Sequence, residues 1–317
     1  MLKFIGKRLL LMIPVLIGVS FIIFSIMSLT PGDPAMLILG EGATPEALAA
    51  KRVELGLDKS FVERYLIYLF DAVRGDFGTS YRTGISVVQE IITRLPYTLT
   101  LASICIILAV IIGIPIGVLS AVKQYSVVDI GTLTVSLLLT SMPEFFTAML
   151  LILLFSLKLG WLPLVGIESW KSWVMPVLAG SASTIAAILR MTRSSMLEVV
   201  RQDYIRTARA KGASERQVIF HHALRNSLLP VVTVIGVNFG VALGGSIVLE
   251  QVFSIPGLGL LMINAIRTKD TPMVMAAVLF AAIIASVVNL LVDITYTFID
   301  PRLGAQYASR RRKKVRA

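Results

Sequence analysis

The sequence predicts an all-α membrane protein of about six transmembrane helices, and three observations carry that prediction. First, 56% of the 317 residues are hydrophobic and only 15% charged, where a soluble domain carries about a quarter charged residues. Second, the apolar residues form long runs: 9–32, 95–122, 172–189, 227–249 and 271–292 contain no charged side chain, and 131–157 contains only Glu144. About 20 apolar residues cross a hydrocarbon core, so six spans follow, the fourth at about 173–192. Third, basic residues are distributed asymmetrically. With six spans, the termini and the loops near 123–130 and 193–226 share one side, which holds 19 of the 30 Lys and Arg but five of the 19 acids. Basic residues stay cytoplasmic, which places both termini there.

The first element, 1–30, has Lys3, Lys7 and Arg8 before its apolar run, as a signal peptide does. The run to Leu29 is too long for a signal core, and Ser28-Leu29-Thr30-Pro31-Gly32 offers no cleavage site, so an uncleaved span is expected. The segment 31–94 then lies outside and exceeds what a helix-helix turn requires. Thr44 caps a helix with Pro45 at its first position, ending near Gly56. A second helix starts after Ser60, with Phe61, Tyr65, Leu66 and Leu69 on one face, and Gly75-Asp76-Phe77-Gly78 breaks it. Ser86 and Gln89 form a capping-box pattern. Such a segment either docks an external partner or shields helix ends, and docking is the preferred reading.

The region 95–300 forms the membrane domain and carries a loop at 201–230. Within it, Asp203 is the expected N-cap of a helix Tyr204–Lys211, and Gly212 stops that helix. Ser214, with Gln217 three residues on, caps a second helix that runs through Val218, Ile219 and His222 to Leu228-Leu229-Pro230. Ala208 and Ala210 are small, Tyr204 and Ile205 are apolar, and Arg206, Arg209 and Lys211 surround them. A plain connector needs neither two caps nor small residues, so this stretch is a docking element. The tail 301–317, with Arg310-Arg311-Arg312-Lys313-Lys314, suits anionic lipid headgroups rather than nucleic acid.

Enzymatic chemistry is not supported. No G-x-x-x-x-G-K-[ST], H-E-x-x-H, C-x-x-C or G-x-S-x-G pattern occurs. His221 and His222 are adjacent and diverge on a helix, against a shared metal site. Cys105 is the single cysteine and lies in the second span. An ionised acid facing lipid costs about 2.5–3.5 kcal/mol or more, so Glu144, following Pro143, either lines a polar path or pairs with a donor. Pro143 is expected to kink its span. Asp293, near the end of span six, is read as snorkelling or pairing rather than touching substrate. Gly236, Gly240 and Gly244 stand four apart, a small-residue face for a pathway seam against a partner or for packing within the chain.

Arg206-Thr207-Ala208-x-x-x-Gly212 followed by Leu229-Pro230 resembles the "E-A-A-x-x-x-G … L-P" loop of permeases in binding-protein-dependent ABC importers. Ala208 and Gly212 match, Arg206 replaces the glutamate, and the 18-residue step from Gly212 to Pro230 is longer than usual. Both departures are shared by the dipeptide, oligopeptide and nickel branch, whose loop is similar to Asp203-Tyr204-Ile205-Arg206-Thr207-Ala208-Arg209-Ala210-Lys211-Gly212. Pro31-Gly32-Asp33-Pro34, Gly75-Asp76-Phe77-Gly78 and Val252-Phe253-Ser254-Ile255-Pro256-Gly257-Leu258-Gly259 also resemble that branch.

The resemblance implies a type I (MetI-like) importer transmembrane domain in the bacterial inner membrane, the first permease of a heterodimer. It implies as partners a second homologous permease, two cytoplasmic ATPases that hold ATP and Mg, and an extracytoplasmic solute-binding protein. Asp203–Gln217 would seat in an ATPase cleft and drive alternating access, with Glu144, Gly240 and Gly244 as possible pathway residues. The chain itself would bind no cofactor. Peptides are the expected substrate, with glutathione or nickel chelates as alternatives for the same machinery. A stand-alone secondary transporter, with Glu144 or Asp293 coupling an ion gradient, is a rival that the scarcity of intramembrane charge disfavours.

Overall fold

A computed structural model describes residues 2–40 and 42–299. The basic tail and the side chain of Asp293 lie outside the described residues. Helices appear in the order α1 (Leu2–Leu29), α2 (Pro34–Leu39), α3 (Pro45–Glu54), α4 (Phe61–Val73), α5 (Val87–Val122), α6 (Val127–Ser141) and α7 (Glu144–Leu151). They continue as α8 (Trp170–Val200), α9 (Asp203–Ala210), α10 (Glu215–Gln217), α11 (Arg225–Val252), α12 (Leu258–Arg267) and α13 (Thr271–Ile299). Two π-helical turns, Ile152–Lys158 and Val218–Leu224, extend α7 and join α10 to α11.

Among the described residues, five helical stretches are long and apolar enough to cross a membrane: Ile5–Leu29, Val87–Val122, Trp170–Val200, Glu215–Gly244 and Thr271–Val292. The remaining expected span, third in chain order, is a bent pair, Val127–Ser141 with Glu144–Lys158, turned by 101°. Pro143 was expected to kink this span, and instead the helix breaks there. A proline drives the preceding residue out of helical geometry, and Met142 is extended at φ −87° and ψ 123°. The proline then caps the new helix with φ −60° and ψ 144°.

Two compact units make up the described chain, one of Leu2–Leu99 with Ile255–Ser286, the other of Thr100–Ser254 with the described residues from 287 onward. In the first unit, Val87 and Ile91 pack with Leu258, Ala265, Met273, Val274, Ala276 and Ala277. The Asp270 carboxylate accepts from Ser80 Oγ at 2.5 Å and from the Tyr81 amide at 3.1 Å. Desolvation of the Tyr81 ring pushes its hydroxyl above the usual range. The caps follow the sequence: Thr44 accepts from the Ala47 amide and Ser60 from the Glu63 amide. On α4 the buried face differs from expectation. Tyr65 is buried against Phe24 and Met275 with Leu69 beside it, while Leu66 is 56% exposed, because it lies one residue around the helix from the Tyr65 line.

In the second unit, α5, α8 and α11 meet through Ala109, Ile188 and Val231, all fully buried. Close approach of α5 to α8 requires glycine: a Cβ at Gly117 would lie 2.6 Å from Thr192 Cβ and 2.7 Å from the Leu189 carbonyl oxygen. Cys105 is buried, and a Cβ at Gly180 would meet its sulfur at 3.0 Å.

Candidate functional site

The loop between α8 and α11 is built by three local devices. The first is the end of α9. The Gly212 amide donates to the Arg209 carbonyl at 2.9 Å and the Ala213 amide to the Ala208 carbonyl at 3.2 Å, the paired bonds of a Schellman motif. That motif needs a left-handed residue, and Gly212 supplies it at φ +82°. The second is a full capping box: the Gln217 amide donates to Ser214 Oγ and the Ser214 amide to Gln217 Oε1. The third is a two-pronged ion pair, Arg209 Nε and Nη2 on the two Glu215 carboxylate oxygens at 2.8 and 3.2 Å. This pair holds the Arg209 guanidinium more strongly protonated than usual.

The start of α9 differs by one residue from expectation. Gln202 is the N-cap and Asp203 the first helical residue, a position where the helix dipole favours negative charge. Ile205 also departs from its expected place. It is fully buried and packs with Val118, Ala121, Met196, Val218 and Ala223, so it fastens α9 to α5, α8 and the π turn. Its neighbours stand outward: Asp203, Tyr204, Arg206, Thr207, Arg209, Ala210, Lys211 and Gly212 are exposed, and Ala208 is half-buried. Partial burial raises the Tyr204 hydroxyl above its usual range. The outward helix therefore has one apolar anchor and an otherwise free polar surface.

Sequence reading counted Asp129, Arg190 and Arg193 only as charges bearing on orientation. Asp129 is 1% exposed and receives Arg193 Nε and Nη2 at 2.6 and 2.7 Å, Ser120 Oγ at 2.5 Å and the Tyr125 amide at 2.9 Å. Arg190 lies within α8, where Nη1 donates to Thr140 Oγ1 at 2.7 Å and to the Ser136 carbonyl at 3.3 Å. A cation inside a span ordinarily faces protein or water. No signal in the sequence joins Arg190 to Thr140 or Arg193 to Asp129, which are 50 and 64 positions apart.

Glu144 is half-buried at the first position of α7, and no hydrogen bond or ion pair reaches its carboxylate among the described residues. The glycine face of α11 is divided. A Cβ at Gly236 would come within 2.3 Å of Val292, whereas at Gly240 and Gly244 it would meet nothing within 4 Å.

The described residues thus form a body of apolar spans that carries a capped, outward-standing helix on one loop. The chain belongs to the family described as the binding-protein-dependent transport system inner membrane component, which it matches over residues 113–305. That family's N-terminal region matches residues 1–102. It is 41% identical to the dipeptide transport system permease protein DppB of Alkalihalophilus pseudofirmus, over 96% of this chain and 99% of the relative. Identity to the glutathione transport system permease protein GsiC of Escherichia coli K12 is also 41%, with the same coverage. A putative peptide transport system permease protein of Brucella suis is 42% identical, again over 96% and 99%. Among solved structures, the inward-facing MetNI methionine ABC transporter shares the fold, with TM-score 0.56 and 19% identity over 67% of this chain and 97% of that one. The chain is thus a multi-pass ABC importer permease subunit with a type I importer transmembrane domain.

Proposed function

We propose that this subunit forms half of a peptide translocation pathway and converts the motion of a separate ATPase into its opening and closing. The observation that carries the reading is α9: a helix fixed to the bundle by the buried Ile205, closed by Gly212 and the Ser214 box, with its polar side free. Force applied to that surface reaches α5, α8 and α11 through packed side chains, as a rigid-body switch requires. In this reading both termini and α9 are cytoplasmic, Asp203–Gly212 contacts one of two ATPases, and a homologous permease completes the pathway. ATP and Mg sit on the ATPases, and a solute-binding protein delivers substrate from outside. The open positions Gly240 and Gly244, and Glu144, whose carboxylate has no partner among the described residues, line the route. The proposed domain limits are 1–30, 31–94, 95–300 with the loop 201–230, and 301–317. Peptides are preferred as substrate because two of the relatives are named for dipeptide or peptide transport, and glutathione is the alternative because a third is named for it.

The test uses the assembled complex in proteoliposomes. Gly212→Asn keeps a residue that tolerates left-handed geometry, and uptake persists. Gly212→Trp meets no atom of this chain within 4 Å at its Cβ, adds backbone strain at φ +82° that the asparagine control shares in part, and crowds a docked partner, so ATP-driven uptake is lost while the subunit stays in the membrane. Normal uptake with Gly212→Trp refutes the docking role. Competition between dipeptides and glutathione for uptake separates the two substrates.

A further inference from the structure

The helix α4 belongs to a segment read from sequence as external, yet its contacts place it beside the middle of a span. Tyr65 Oη donates to the Ile17 carbonyl oxygen at 3.1 Å and lies 3.0 Å from Ser20 Oγ. Phe61 and Tyr65 pack edge-on against Phe21 at centroid distances of 6.1 and 5.3 Å, and Phe61 and Tyr68 flank Phe24. Ile17 is the midpoint of the stretch Ile5–Leu29. At 1.5 Å per residue it lies about 18 Å from either end, in a hydrocarbon core about 30 Å thick.

At this depth α4 presents three faces. One side, Phe61, Tyr65 and Tyr68, meets α1. A second, with Arg64, Tyr68 and Asp71, lines a cavity of about 470 Å³ that Lys59 and Tyr81 also border. The third carries Val62, Leu66, Phe70 and Val73, which are 63%, 56%, 57% and 82% exposed. Charges stand only at the ends of this apolar side: Lys59 and Glu63 at the start, and Arg74 over the Phe70 ring at 3.9 Å from its centroid.

We propose that α4 is embedded in the bilayer, with Val62, Leu66, Phe70 and Val73 against lipid acyl chains and Arg64 and Asp71 towards the polar cavity. Continuity with the span identifies the occupant. Only 11% of the apolar window of α1 is buried, and Phe21 and Ile22, 47% and 59% exposed, extend the same apolar surface. The groove along Leu66, Ile67, Leu69, Phe70 and Val73 contains no polar side chain, whereas a protein interface carries a polar rim. A helix satisfies its own backbone groups and tolerates hydrocarbon, and terminal Lys and Arg reach back towards water. The helix then separates lipid from an aqueous space, a role independent of which way the termini face.

The experiment attaches a fluorophore at Leu66→Cys and at Phe70→Cys in the assembled complex in liposomes. Cys105 is 4% exposed, so unmodified protein reports any background labelling. Ile22→Cys on α1 is the lipid reference and Glu46→Cys, exposed on α3, the aqueous one. Brominated lipid quenches positions 66 and 70 as it does position 22, and iodide quenches them severalfold less than position 46. Iodide quenching equal to position 46 overturns the proposal in favour of a solvated face. Protection from both quenchers overturns it in favour of a protein partner. Both positions are exposed, and uptake by the labelled complex confirms assembly.

Discussion

Two arginine–carboxylate pairs in this molecule have the same forked geometry and opposite surroundings. Arg193 grips Asp129 at 2.6 and 2.7 Å, and Arg209 grips Glu215 at 2.8 and 3.2 Å. Asp129 is 1% exposed and has two further donors, whereas Glu215 is exposed beside a solvated helix. The contact is alike; its consequence is not. Breaking the inner pair leaves a desolvated charge held by only two neutral donors, Ser120 Oγ and the Tyr125 amide, while breaking the outer pair returns both groups to water. Burial rather than geometry makes the first a fastening between α6 and α8 and the second a local shaper of the loop.

The largest expected effect tests that contrast directly. Arg193→Ala removes the partner of a buried charge and destabilises the subunit by about 3–5 kcal/mol, seen as a lowered thermal midpoint and less assembled complex. A wild-type midpoint breaks the comparison. A second contrast uses glycines in place of ions. Gly117→Ala forces a methyl against Thr192 and the Leu189 carbonyl, costing about 1–3 kcal/mol. Gly240→Ala enters open space and gains about 0.5–1 kcal/mol from helix propensity. Equal midpoints for the two variants show that the helix contacts are not as close as described. Smallest of all, Arg209→Ala leaves the global midpoint at the wild-type value, and its trace is faster backbone hydrogen exchange at Lys211 to Ser214.

The residues that sequence placed well are those whose partners are near neighbours. Thr44, Ser60 and the Ser214–Gln217 box satisfy amides three positions away, and Gly212 closes a motif within its own turn. Apolar runs located the spans because bilayer thickness alone sets their length. What escaped depends on packing across distance. Asp129 and Arg193 are 64 residues apart, and a charge count cannot pair them. Ile205 looked like part of an outward surface because an adjacent apolar pair, Tyr204 and Ile205, on a basic helix has no period to show which of them faces inward. Structure turns it inward. Met142–Pro143 was read as a kink, although the restriction on residues before proline already favoured a full break. The π turn at Val218–Leu224 has no composition of its own, and it arises where α10 must join α11 while Val218 and Ala223 both stay buried.

The account rests on Ile205 fastening the outward helix to the bundle, and uptake per ATP hydrolysed is the quantity that reports it. In proteoliposomes of the complete importer, Ile205→Ala removes a buried side chain worth about 2–5 kcal/mol, loosening α9 while its exposed surface is unchanged. ATP hydrolysis then continues and solute taken up per ATP falls severalfold. An unchanged ratio in a normally assembled complex contradicts the account.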